Sequence, residues 1–324
     1  RSEHVACAHP VVDPASGATF NLHLRFGRRP TYVVTKRLAG GTAREVVARV
    51  ELSDPVYVHS FALTPEHVVV AACPLLVDVW GLLRPGGHDS FLDALEWRPD
   101  RPTRFVVVSR DSGEVVAAPT APAFFTFHHA NAFRRGDDLV VDLVAFEDAS
   151  VLTDLSLSDL RAGSVTTLAG DLRRYRVPLD GGGDRPASAT ERTLATGGLS
   201  LPRFDERRRG RPYRYVYATR TGDAEVAPNH LARVDCWRGE TAVWREPGVF
   251  CGEPVFVPEP GGDEGEGVVL SVVLDPDPEQ SFLLVLDAAS FEERARAWLP
   301  HALPFDFHGQ FYPESDLRTA RDSP

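Results

Sequence analysis

An antiparallel all-β fold is what this sequence predicts, on three observations. The apolar runs are short and rich in β-branched and aromatic residues, turn formers close them at short intervals, and helical periodicity is scarce. In chain order the expected strands lie in "ATFNLHLRFG", "PTYVVTKRL", "YVHSFALT", "HVVVAACPLLV", "RFVVVSR", "LVVDLVAF", "RYRVPLD", "YRYVYATR", "HLARVDCW", "GVVLSVVLD" and "SFLLVLDAASF". Between them stand turns such as "RDSGE", "RRGDD", "DGGGD", "CWRGE" and "PEPGGDEGEG". Residues 84–97 and 150–161 are expected to hold one short helix each, and residues 180–192 a long surface loop. With no α/β alternation the choice is among sandwich, barrel and propeller. No clean short repeat marks a common propeller family, so any repeats have diverged. No Pro/Ser-rich linker divides the chain, which reads as a single domain over 1–324.

Composition narrows the function. At 324 residues and 43% hydrophobic the chain can bury a substantial core. A formal charge of -11 argues against nucleic acid, whose phosphates require a basic surface. Lys36 is the only lysine and hence the only candidate for Schiff-base chemistry, in a stretch that reads as a polar turn. Cys7, Cys73, Cys236 and Cys251 form no CxxC pair and suit reduced, buried thiols in a cytoplasmic protein. No run approaches the ~20 apolar residues of a membrane span, and no signal peptide is read. Residues 74–92, "PLLVDVWGLLRPGGHDSFL", are apolar yet broken by Pro and Gly. They read either as a loop dipping Trp80 and leucines into a membrane surface or as an ordinary packed loop. The absence of methionine, even at position 1, makes a fragment of a longer reading frame the expectation.

Four histidines interrupt or end apolar runs: His9 in "ACAHPVVDPASG", His59 in "VYVHSFALTPEH", His128 in "FFTFHHANAF" and His308 in "PFDFHGQFYP". A lone imidazole there is costly unless its nitrogens are satisfied. Any one of them could be a core histidine bonded to a backbone carbonyl; four together favour a shared metal. Spacings of 50, 69 and 180 residues exclude a local finger-type motif, so the ligands would have to converge from different sheets. His128 and His129 are neighbours in an expected strand and face opposite ways, so they cannot share one role. His4, His23, His67, His88, His230 and His301 are expected in turns or on solvent faces.

These motifs, with "LPRFDERRRGRPYRYVYA", "GEPVFVP" and the terminal "FHGQF", stand in the order found in the carotenoid cleavage oxygenase family, which the chain resembles over essentially its whole length. The resemblance implies a seven-bladed β-propeller with axial Fe(II) held by His9, His59, His128 and His308. It implies that the chain corresponds to the C-terminal two-thirds of such an enzyme. It makes His128, which follows Phe127, the ligand of the pair, and His129 structural. Outward imidazole N–H groups need acceptors, usually carboxylates. Glu253 in "CGEPVFV" matches one family glutamate, although alone it could be a solvated turn carboxylate. A second is expected to precede this chain. At the third stands Ser200, in "GLSLPRF", which brings no charge and is expected near His308. Arg134 also departs from the family, which commonly has glutamate after "NAF". Phe61, Phe124, Phe125, Phe127, Phe133, Phe305, Phe307 and Phe311 are core residues or, on the resemblance, include lining for a long conjugated substrate. The activity implied is O2-dependent cleavage of an internal C=C bond of a carotenoid or apocarotenoid into two carbonyl products. A stilbene-cleaving dioxygenase and a non-catalytic propeller binding an apolar ligand are the alternatives.

Overall fold

The structure is a computed structural model that describes residues 5–26, 29–154, 156–162, 170–180, 187–222, 227–305 and 307–314. The strand pairs whose register is described are antiparallel, and one isolated bridge, between Thr120 and Ser188, is parallel. Alternation supplies the reason. In Thr19–Arg25 the side chains of Phe20, Leu22 and Leu24 are buried on one face.

The chain divides into two compact units, one built from residues before Leu201 together with Glu206–Tyr213, the other from Leu201–Asp205 and the residues from Arg214 on. In the first unit, Val5–Ala6, Thr19–Arg25, Thr31–Arg37 and Glu45–Glu51 form one sheet, with Val11–Val12 beside Thr19–Arg25. Val115–Ala117, Thr103–Ser109, His67–Ala72 and Ala62–Leu63 form a second. Phe20, Leu22, Tyr32 and Val34 of the first sheet share a core with Val68, Val70, Val106 and Val108 of the second. Gly113 turns the Thr103–Ser109 hairpin at φ 73°, and a Cβ there would lie 2.5 Å from the carbonyl oxygen of Val47, so only glycine fits.

The third sheet runs His129–Arg135, Asp138–Ala145, Asp171–Pro178 and Thr190–Ala195. All eight residues of Asp138–Ala145 are buried, including Asp142. That carboxylate receives Nε and Nη2 of Arg174, each at 2.8 Å, and the hydroxyl of Tyr213 at 2.7 Å. The bidentate fork and the phenol satisfy a charge that burial would otherwise penalise heavily. The second unit holds Tyr215–Arg220, His230–Asp235 and Glu240–Arg245, whose sheet begins with Leu199–Arg203, and a last sheet of Phe250–Cys251, Gly267–Asp275, Gln280–Asp287 and Glu293–Trp298. Tyr217, Phe256, Val269, Phe282 and Leu284 centre its core.

Several expectations need correction. The helix expected in 84–97 is a single 3-10 turn at Leu92–Ala94, and the α-helix lies earlier, at Val79–Leu83, where Asp78 caps it by accepting the Gly81 N–H. Pro85, Gly86 and Gly87 prevent its continuation. The 150–161 helix is two pieces, Val151–Asp154 and Leu157–Ala162. Lys36 lies within the strand Thr31–Arg37, 3.9 Å from Glu45, not in a turn. His23 and His67 are buried rather than surface residues, His23 bonding Thr35 Oγ1 at 2.9 Å. The loop expected over 180–192 lies partly outside the described residues, and a strand already begins at Thr190. His4 also lies outside them. All four cysteines are buried free thiols.

Candidate metal centre

The site is assembled from three loop-to-strand junctions of the first unit. His9 follows the strand Val5–Ala6 and precedes Pro10, which disfavours helical backbone at His9. His59 stands before Ala62–Leu63, and His128 immediately before His129–Arg135, its carbonyl still accepting the Val144 N–H at 3.1 Å.

The three half-buried rings meet. Nε2 of His9 and Nε2 of His59 are 2.9 Å apart, and the ligand atoms of all three lie within 4.8 Å of one another. Ring centroids are 4.6 Å apart for His9–His59, 4.9 Å for His9–His128 and 5.0 Å for His59–His128. Nitrogens bound cis to one metal at about 2.1 Å stand about 3 Å from each other, so the donor set fits a transition metal that accepts imidazole. Phe127 meets the edge of His59 at 5.0 Å and packs against Phe125 and Phe146, placing an apolar wall beside the cluster.

Each candidate-ligand segment is tied from behind. The Cys7 thiol donates to the carbonyl of His59 at 2.8 Å and accepts the N–H of His9 at 3.4 Å. Burial pushes that thiol up to about 11, so it stays protonated. The hydroxyl of Tyr57 lies 2.7 Å from Nδ1 of His59, and burial pushes this phenol up to about 12. His129 faces away from the cluster onto Ser60, whose Oγ lies 2.8 Å from its Nδ1 and accepts its backbone N–H at 3.0 Å. Burial first, and the neighbouring His9 second, lower His129 to about 3. Its ring is therefore neutral at ordinary pH. A register shift between His129 and Asn131 leaves Ala130 as an extra residue, a bulge two residues from His128. Buried Asn131 secures that bulged strand through the carbonyls of Arg208 and Arg211.

In the second unit, Nδ1 of His308 lies 3.0 Å from Oε1 of Glu253. Oε2 of Glu253 accepts the Gly309 N–H at 2.9 Å and Nη1 of Arg203 at 3.2 Å. Glu253 is buried, not a solvated turn carboxylate. It lies on the Nδ1 side of His308. Ser200 is half-buried in Leu199–Arg203, followed by Leu201 at φ 47°. Phe61, Phe124, Phe125 and Phe133 are core residues, whereas Phe305, Phe307 and Phe311 are exposed. Tyr57, Ser60, Cys7 and Arg203 escaped the sequence reading. Of these only Tyr57 left a trace, two residues from His59 in an extended run.

Comparisons with known proteins show which family and which structures the chain resembles. The profile of the family described as retinal pigment epithelial membrane protein matches residues 1–313. Carotenoid cleavage dioxygenase 8, chloroplastic, of Arabidopsis thaliana is 35% identical over 97% of this chain and 57% of its own length. Torulene dioxygenase of Fusarium fujikuroi is 32% identical over 95% and 59%. The mitochondrial carotenoid-cleaving dioxygenase of Macaca fascicularis is 32% identical over 95% and 64%. The chain thus spans about three-fifths of these relatives. Among solved structures, a variant of Synechocystis apocarotenoid oxygenase superposes with a TM-score of 0.81 at 25% identity, and the cobalt-substituted form at 0.80 and 26%. Each comparison covers 94% of this chain and 64% of the other. The fold is the all-β propeller class of those structures.

Proposed function

The chain belongs to the retinal pigment epithelial membrane protein family, and from that premise we propose that it is the iron-holding portion of a dioxygenase cleaving an internal C=C bond of a carotenoid or apocarotenoid. The observation that carries the reading is the meeting of His9, His59 and His128 beside an apolar wall. His308, its ring oriented by Glu253, is the fourth ligand in this reading. A carboxylate behind a histidine is the usual support for a metal-binding ring. When bound, Fe(II) supplies the site at which O2 is activated. The chain's own residues brace these histidines from behind, Cys7 at His9 and His59 and Glu253 at His308, and Phe127 with its neighbours keeps the surroundings of His59 apolar. Placing one oxygen atom of O2 on each carbon of the broken double bond gives two carbonyl products and accounts for every atom.

The substrate class suggests a route of entry. Trp80 is 76% exposed on the helix Val79–Leu83, and Leu92 and Phe91 are also exposed nearby in sequence. In this proposal the segment rests on a lipid surface from which a lipophilic polyene is collected. No helix among the described residues is long and apolar enough to cross a membrane.

The test combines iron analysis with labelled oxygen. Near-stoichiometric iron, lost in His128→Ala and retained in His129→Ala, together with ¹⁸O in both carbonyl products from an apocarotenal, is the expected result. Iron-free protein that retains the polyene unchanged would overturn the enzyme reading, and turnover of a stilbene alone would reassign the substrate.

A further inference from the structure

We infer that the first unit carries an oxoanion pocket for a phosphate group, walled by Arg110, Arg209 and Arg211. The pocket is separate from the metal reading and does not depend on which ion the histidines hold.

The pocket has a volume of about 140 Å³, against the ~10–15 Å³ that a single water requires. Asp13, Thr64 and Pro65 complete its walls. Three arginines and one aspartate line it, in a chain whose formal charge is -11. Glu206, which pairs with Arg209, offsets a second charge, so three positive groups stand against two negative ones. Guanidinium is the side-chain group best matched to phosphate, because its fork of N–H donors binds two oxygens at once. A carboxylate offers two oxygens in one plane, whereas a phosphate offers several in three dimensions to three converging arginines.

The donors are held in place before any anion arrives. Nη1 of Arg110 donates to the Thr64 carbonyl at 2.7 Å and Nη2 to Oδ2 of Asp13 at 2.8 Å. The Phe20 ring lies 4.5 Å beneath this guanidinium, whose side chain is only 14% exposed. Each terminal nitrogen of Arg110 keeps a second hydrogen. Burial works against the charge on Asp13, but Arg110, Ser16 and the Ala15 N–H outweigh it and hold the carboxyl below its ordinary range. Asn131 fixes the loop of the other two arginines, accepting the Gly210 N–H at 3.1 Å and donating to the carbonyls of Arg208 and Arg211. Gly210 sits at φ 74°, where a Cβ would lie 2.7 Å from Cδ of Pro65. Only glycine lets this loop close against Thr64–Pro65. Arg211 is exposed and has no carboxylate partner among the described residues.

The walls continue the segments of the metal centre. Asp13 follows His9 through Val11–Val12, Thr64 follows His59 through Ala62–Leu63, and Asn131 follows His128 within His129–Arg135. An anion seated here joins all three turns, and should raise the melting temperature as its concentration rises.

The test is titration of the full chain with inorganic phosphate, followed by calorimetry and ³¹P line broadening, with one site expected. Arg211→Ala should weaken phosphate binding by ~10–100-fold, as loss of a hydrogen-bonded charge does, and leave metal content unchanged. Arg211→Lys keeps the charge without the fork and should weaken it less. Ala15→Glu, which sets a carboxylate on the wall, should abolish it. Wild-type protein that binds no phosphate overturns the proposal, as does wild-type affinity in folded Arg211→Ala or Ala15→Glu. Should neither of those variants fold, Arg211→Lys decides, and unchanged affinity there overturns it. Acetate binding as tightly as phosphate overturns the choice of phosphate. Competition by glycerol 3-phosphate supports a soluble ester as the source, and Arg211-dependent co-flotation with phosphatidic acid vesicles supports a lipid headgroup.

Discussion

Glu253→Gln tests the outer support of His308 with almost no change of shape. The carboxylate serves three donors: Nδ1 of His308 on Oε1, and Gly309 N–H and Arg203 Nη1 on Oε2. An amide has one oxygen and one NH2, so it cannot serve both sides. With its oxygen toward Gly309 and Arg203 it satisfies two donors, and its NH2 then faces His308 Nδ1. That nitrogen must become an acceptor, which moves the ring proton to Nε2 and blocks ligation. With the amide reversed, the NH2 opposes both a peptide N–H and a guanidinium, leaving buried donors unpaired at about 1–3 kcal/mol. Binding a metal requires this second, costlier arrangement. Affinity should therefore fall by at least the ~10–100-fold typical of lost outer partners, or about 1.4–2.8 kcal/mol at 1.4 kcal/mol per decade. Chelator competition with Fe²⁺ or Co²⁺ measures it, with circular dichroism and thermal melting as controls. Folded Glu253→Gln with wild-type affinity would refute the claim that Glu253 sets the tautomer of His308.

Other outcomes follow from the same structure. Asp142→Ala removes the buried carboxylate that pairs with Arg174 and the Tyr213 hydroxyl, and should cost about 3–5 kcal/mol in denaturant unfolding, whereas Tyr213→Phe leaves the carboxylate with Arg174 and should cost about 1–3 kcal/mol. Burial lowers His67 below its ordinary 6.5 in the fold. The unfolded chain therefore binds that proton first, so this residue's contribution is complete above pH 6.5 and drains as pH falls toward the folded value. Metal-free His67→Gln should show a shallower loss of stability over that range than wild type. Burial also pushes the thiols of Cys7 and Cys73 up to about 11 and about 12. Ellman's reagent should leave both unmodified in native protein and react with both after denaturation. Trp80→Ser should reduce co-flotation with phosphatidylcholine vesicles without changing metal content.

Much of the fold was legible because alternation and turns are local signals. The hairpin of His129–Arg135 with Asp138–Ala145 turns at Gly136, φ 64°, within the "RRGDD" that marks it in the sequence. Helix limits were less legible, since the cap by Asp78 places the helix before Pro85 rather than after it. The four candidate ligands stood out as histidines in apolar settings. Of their supports only Glu253 was named, and that through the family resemblance, because most of these are pairings across long separations. Ser60 meets His129 from 69 residues away, Glu253 meets His308 from 55, and Tyr213 meets Asp142 from 71. Asp142 is the extreme case, a single carboxylate inside "LVVDLVAF" whose partners no local pattern announces.

The pair His128–His129 sets a candidate ligand beside a brace at the point where a strand begins. His128, just before the strand, meets the rings of His9 and His59 at 4.9 and 5.0 Å, and His129, its first residue, meets Ser60 at 2.8 Å. Because Ser60 directly follows His59, the brace on one face fixes the spacing of two ligand segments on the other. The bulge at Ala130 takes up the change of direction immediately after the pair, so the rest of His129–Arg135 can keep its ladder with Asp138–Ala145. The end of the strand's ladder and the placement of His128 therefore meet at this one bulge.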